Sequence, residues 1–197
     1  VSGIAQFITH RGQGELKKWL EDGYCALQKH DKMYSDWLAV PRSIKTTSVK
    51  PSGTVSLLAG ATPGLHYPES KFYIRRIRLS KLSPLIPPLE KAGYNIEPAF
   101  GSEDSTVVVD VPVDVGEGVR TVNQVTMWEQ LSLAAFMQKY WADNQVSCTV
   151  TFDPETEGPQ IPYALNYFQY QLKGISLLPK SEIGAYKQMP YEEITEK

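Results

Sequence analysis

The chain is expected to be an α/β protein with mostly parallel strands, because helical and strand-like apolar patterns alternate along it. Two observations carry that reading. From Thr126 to Leu178 a helix pattern, an alternating strand pattern, a second helix pattern and a further β-branched run follow one another. Further upstream, an extended stretch runs through a turn of small residues, Pro51 to Ser56, into a helix start.

Taken in order, Leu16, Trp19, Leu20, Tyr24 and Leu27 recur at helical spacing with Glu15, Lys17, Lys18 and Asp22 between them. That predicts an amphipathic helix from Gly14 to about Leu38. Ile44, Thr46, Thr47 and Val49 favour extended backbone until Pro51 stops it. Val55, Leu57, Leu58 and Ala59 predict a short buried element, broken by Gly60, Pro63 and Gly64. Phe72 to Leu79 reads as a strand, Ser83 to Lys91 as a helix stopped by Gly93, and Asn95 to Phe100 and Thr106 to Val111 as further strands. Thr126 and Glu129 form a capping-box pattern ahead of Leu133, Phe136, Met137 and Tyr140, the best-marked helix start in the chain. A strand follows over Val146 to Phe152, then a helix carrying Ile161, Leu165, Phe168 and Leu172, then, past Gly174, the run Ile175 to Leu178. The acidic stretch Asp153 to Gly158 is too short to separate domains, and residues from about 181 on read as a surface tail.

The run KPSGTVSLLAG, Lys50 to Gly60, carries the chemistry. The first N–H groups of a helix have no partner inside it, carry the positive end of its dipole, and bind anion oxygens without a charged side chain. Gly53, lacking a Cβ, lets a ligand approach the backbone. The same six residues, PSGTVS, also serve in many proteins only to cap a helix. No Gly-Lys-Ser/Thr follows the glycine and no GxGxxG occurs, so this is neither a P-loop nor a dinucleotide fingerprint.

At 197 residues and 42% apolar content the chain can bury a sizeable core, and one domain is the default reading. A net charge of −2 gives no broad basic field for a nucleic-acid polymer, and no apolar run approaches the ~20 residues that span a membrane. The opening VSGIAQF reads as the middle of a domain, so the chain is expected to be a piece of a longer polypeptide. Its cysteines, Cys25 and Cys148, show no CxxC and no metal-ligand spacing, which suits a reduced, intracellular protein. Cys148 alternates with Ser147 and Thr149 on the apolar face of a strand and is expected to be buried; Cys25 is expected at the core or its boundary.

Other residues invite functional readings that weaken on inspection. Arg75, Arg76 and Arg78 form the densest basic cluster, but on a strand Arg75 faces away from the other two, so a solvated or salt-bridged surface strand is expected. His10, His30 and His66 have no pairing and no adjacent nucleophile, and a structural role is expected of each. Glu103, Asp104, Asp110 and Asp114 lack the rhythm of a calcium loop and read as a solvated patch. Tyr163, Tyr167, Tyr170 and Phe168 are expected to pack as helix faces rather than to stack a ligand.

Read together, GIAQFITHRGQGELKKWL, SVKPSGTVSLLAGATPGLHYPESKFYIRRIRLS, ADNQVSCTVTFDPE and ALNYFQYQLKGIS resemble the C-terminal portion of a monomeric, adenosylcobalamin-dependent (class II) ribonucleoside-triphosphate reductase. The resemblance runs over nearly the whole chain. It implies that residues 1–197 are part of a ten-stranded α/β barrel, the catalytic domain of a longer cytoplasmic enzyme. It also implies a cysteine thiyl radical generated with adenosylcobalamin, and reducing equivalents from cysteine pairs and a thioredoxin-type donor. Ser52, Gly53, Thr54, Val55 and Ser56 match the segment that binds the phosphates of the ribonucleoside triphosphate. Neither Cys25 nor Cys148 matches a family redox cysteine, so no catalytic residue is expected here and the chain alone should be inactive. No residue is assigned to the cobalamin, and no metal site is expected. Two other readings stay open: a nucleotide-phosphate binding module without chemistry, and an assembly domain in which PSGTVS is only a cap.

Overall fold

The computed structural model describes residues 1–52, 55–180 and 187–196. In chain order the elements are α1 (Ile4–Leu38), α2 (Val55–Leu58), β1 (Phe72–Ser80), α3 (Ile86–Lys91), β2 (Asn95–Pro98), β3 (Thr106–Asp114), α4 (Met127–Tyr140), β4 (Thr149–Phe152), α5 (Ile161–Phe168), β5 (Ser176–Pro179) and β6 (Tyr191–Glu193). They fall into two compact units, Val1–Pro68 with Gly118–Lys180, and Glu69–Glu117 with the described part of Ser181–Lys197. No helix among the described residues is long and apolar enough to cross a membrane.

The first unit is built on a short parallel ladder. Val49 bridges Val146 in parallel, with Ser147 N–H donating to the Val49 carbonyl at 3.0 Å. β4 pairs in parallel with β5, from Thr149 opposite Ser176 to Phe152 opposite Pro179. Val146, Cys148 and Val150 are all buried, so the predicted alternation holds, although regular strand begins only at Thr149. Against this ladder lies α4, buried through Met127, Leu131, Leu133, Ala134 and Met137. Each large apolar side chain so buried contributes about 1.5–3 kcal/mol. The start of α4 follows its sequence signature: Thr126 Oγ1 accepts from Glu129 N–H, and Glu129 accepts from Thr126 N–H, both at 3.2 Å. Gln130 is buried among apolar neighbours because its amide is paired twice, donating to the Thr151 carbonyl at 2.9 Å and accepting from Thr151 N–H at 3.0 Å. That fixes the height of α4 on β4.

α1 breaks at Gly12, whose φ of 81° and ψ of 162° are not helical, so the regular amphipathic stretch begins just past Gly12, within a residue of the predicted start at Gly14. Leu16 and Leu20 enter the core of the first unit. Cys25 is exposed rather than at the core, because it lies on the polar side of the helix with Lys18, Asp22 and Lys29.

The second unit corrects the expectation of mostly parallel strands. Its four-stranded sheet has the order β2-β3-β1-β6, and all of its pairings are antiparallel. β2 and β3 are joined by a short loop turning at Gly101 (φ 77°), and a connection that short permits only an antiparallel pair. The fold is therefore mixed α/β, and the described residues form six strands rather than a ten-stranded barrel.

The sheet also accounts for the arginines. Arg76 pairs with Asp110 at 3.1 Å and with Glu192 at 2.5 Å, tying β1 to both neighbours. Arg75, on the other face, lies 4.4 Å from the centre of the Tyr191 ring. The strand is salt-bridged, as expected. The acidic residues are likewise occupied: Asp110 also accepts from Asn95, Glu103 from Gly101 N–H, and Asp114 from Gly116 N–H. Among the described residues no group of His, Cys, Asp and Glu is arranged to hold a metal ion. The tail reading needs correction too, since Tyr191–Glu193 is an edge strand whose Tyr191 packs on Tyr73. Tyr163, Tyr167 and Tyr170 are exposed rather than packed as helix faces; α5 is short and buries only Ala164 and Phe168, leaving Tyr167 in edge contact with Trp128.

Candidate functional site

The segment ending at Val49 runs parallel to β4, and the turn assigned to phosphate leaves its carboxyl end. In α/β folds that end of the strands is where ligands bind, because helices begin there with their N–H groups exposed. Ser52 adopts a left-handed conformation, φ 53°, uncommon for a residue with a Cβ. Ser56 is buried, and its hydroxyl donates to the Ser52 carbonyl, closing the turn. Its proton thus serves the turn. Val55 is exposed, contrary to the expectation of a buried element, because α2 is a single turn whose first residue faces solvent. Gly53 and Thr54 lie outside the described residues. Of the assigned residues, Ser52, Val55 and Ser56 are brought together on this one turn.

The turn is held from beneath by residues that the sequence reading passed over. Gly64, at φ 53°, lies so near the turn that a Cβ on it would stand 2.6 Å from the Lys50 carbonyl oxygen and 3.4 Å from that of Pro51. The loop bearing Gly64 is fastened to the start of α1. Gly3 N–H donates to the Thr62 carbonyl at 2.8 Å, Ile4 N–H to that of Gly64 at 3.3 Å, and Thr62 N–H to Gln6 Oε1 at 2.8 Å. Gln6 in turn donates to the Gly60 carbonyl at 3.1 Å, and Ala61 N–H to that of Ser56 at 2.9 Å. The signal for Gly64 was present as a Pro-Gly dipeptide, which reads as a chain breaker; its closeness to Lys50 is a tertiary fact.

His66 extends the same support to the strand. Its Nδ1 lies 3.2 Å from the Pro63 carbonyl, and its Nε2 accepts from Thr149 N–H at 3.1 Å. Burial pushes its imidazole below the ordinary value, with the Pro63 carbonyl acting in the opposite direction. The neutral ring is the form that can accept from Thr149, so His66 is structural.

Between Pro51 and Ser56 the sequence holds small and hydroxylated residues and no titratable side chain. That composition supplies no acid, base or activated nucleophile. The cysteines add none. Both are free, and burial pushes the Cys148 thiol up to about 12, which keeps it protonated and unreactive at neutral pH.

Comparison with known proteins gives the class first. The chain superposes on a solved B12-dependent (class II) ribonucleotide reductase with a TM-score of 0.77 and 38% identity, covering 93% of this chain and 26% of that one. It is 65% identical over its full length to a probable adenosylcobalamin-dependent ribonucleoside-triphosphate reductase of Dictyostelium discoideum, and 64% identical over 99% of its length to the corresponding reductase of Euglena gracilis. No protein-family model matches the chain. Over its length, then, the chain is related to a segment of the adenosylcobalamin-dependent ribonucleoside-triphosphate reductases. It spans about a quarter of the length of these relatives, 26% and 27% of the two named.

Proposed function

We propose that this chain is a segment of the catalytic domain of an adenosylcobalamin-dependent ribonucleoside-triphosphate reductase. Its turn from Ser52 to Ser56 holds the phosphates of the substrate, and the reaction exchanges the ribose 2′-hydroxyl for hydrogen, releasing water as a dithiol is oxidised to a disulfide. The observation that carries this reading is the 65% and 64% identity to two proteins named as such reductases, sustained along the whole chain. The site chemistry agrees with it. An uncharged turn at a strand's carboxyl end binds and orients a polyanion but does nothing to the ribose.

The chemistry itself then belongs to parts of the enzyme beyond these residues, including the thiyl cysteine and the cysteine pairs recharged by a thioredoxin-type donor in the cytoplasm. The described residues do not fit the cofactor. Four cavities that they form within one unit hold about 460 to 630 Å3 each, a size for a drug-like molecule and short of a corrin with its nucleotide loop and adenosyl group. The experiment is direct: the full-length protein, given adenosylcobalamin, a ribonucleoside triphosphate and a dithiol, should form the deoxyribonucleotide. Failure to form it in the folded full-length protein would reject the reading.

A further inference from the structure

One stripe of α1 changes its environment along its length. Leu16, Leu20, Leu27, Tyr34 and Leu38 follow one another at spacings of four, seven, seven and four residues, which puts them on a single face. Their exposures rise steadily: 3%, 4%, 40%, 51% and 71%. Trp37, adjoining the stripe, is 71% exposed and packs edge-on against Tyr34 at 5.4 Å, and His30 stacks on the same Tyr34 ring at 6.3 Å. The opposite face is uniformly polar or small and exposed through Lys18, Asp22, Cys25, Lys29, Lys32 and Asp36. The helix is therefore amphipathic throughout, but its apolar face is covered only where it meets the core of the first unit. On the side of the helix that faces the first unit, Tyr24 donates to Asp143 at 2.7 Å and Gln28 to Thr46 at 2.8 Å, and Ser35 is buried, so it is the Leu27, Tyr34 and Leu38 stripe that stays uncovered.

We infer that the far half of α1, with Leu27, Tyr34, Trp37 and Leu38, is a docking face for another part of the same polypeptide, presenting an aliphatic or aromatic surface. Three observations favour that occupant. The exposed stripe continues a stripe that is already core, so it has the composition of an intramolecular interface. Val40 and Ile44, which follow the helix in sequence, are also exposed, so apolar exposure is concentrated at this end of α1. The relatives are about four times as long as this chain, so the partner surface has ample chain to come from. This inference rests on the reading of the chain as a segment of a longer reductase.

Hydroxyl-radical footprinting of the full-length protein tests it. Modification of Tyr34 and Trp37 is compared between the folded protein and the same protein in urea, at several protein concentrations. The expected result is modification about tenfold slower in the folded protein at every concentration, since protection follows how rarely the contact opens. Trp37→Lys should raise the modification of Tyr34, and Lys29→Ala, on the polar face, should not. Modification near the denatured rate would show a bare face and overturn the inference. Protection that disappears on dilution would assign the face to a second copy and overturn it equally. The readout needs no turnover, so protection in a protein that forms no deoxyribonucleotide would reject the reductase reading while leaving the docking face standing.

Discussion

Gly64 and Lys50 are packed so closely that a Cβ on Gly64 would lie 2.6 Å from the Lys50 carbonyl oxygen. This contact sets the height of the turn that follows Lys50, because the loop bearing Gly64 is itself fastened to the first residues of α1. Gly64→Ala should therefore destabilise the protein twice over. The left-handed backbone alone costs about 1–2 kcal/mol, and displacement of the Lys50 carbonyl adds to it. A fall in the urea midpoint is expected, and an unchanged midpoint would mean that the loop yields freely.

His66 predicts a pH dependence. Its folded value lies below the ordinary 6.5, so the unfolded chain binds the proton more tightly than the folded one. The stability it contributes is present above that ordinary value and is lost as pH falls through the folded one. Denaturation profiles taken from pH 7.5 down toward pH 5 should show stability declining, and His66→Gln should flatten that decline. Equal slopes in the two proteins would remove His66 from the account.

The cysteines predict an absence of activity in the isolated chain. With one thiol buried and held protonated and the other alone on an exposed helix face, no dithiol is available to be oxidised. Labelled CTP incubated with this chain, adenosylcobalamin and an external dithiol should yield no dCTP. Product above background would place redox chemistry within these residues.

Much of the local structure was legible because single side chains dictate it. The capping box at Thr126 and Glu129 fixed a helix start to the residue, and the alternation around Cys148 fixed its burial. What escaped the sequence depends on distant partners. Strand direction is set by which strands become neighbours, and the β1 to β3 pairing, from Phe72 opposite Asp114 to Ser80 opposite Thr106, leaves no local trace. Tyr191 looked like part of a tail because its pairing partner, Arg75, is far away in sequence. At the candidate site the composition of the turn was readable, whereas its support by Gly64, Gln6 and His66 arises only when the chain returns on itself.

The central claim is that the turn from Ser52 to Ser56 holds the substrate's phosphates, and equilibrium binding of a ribonucleoside triphosphate to the full-length protein tests it most directly. Gly53→Val puts a branched side chain into a run where phosphate oxygens must come within about 3 Å of backbone nitrogen. Losing one or two charge-assisted hydrogen bonds, at about 1.5–3 kcal/mol each, predicts affinity lower by at least about tenfold. Cys148→Ala, which removes a buried contact and none of the residues assigned to the phosphates, should cost stability and leave affinity nearly unchanged. A Gly53→Val protein that is folded and binds the nucleotide as tightly as the unaltered one would contradict the assignment.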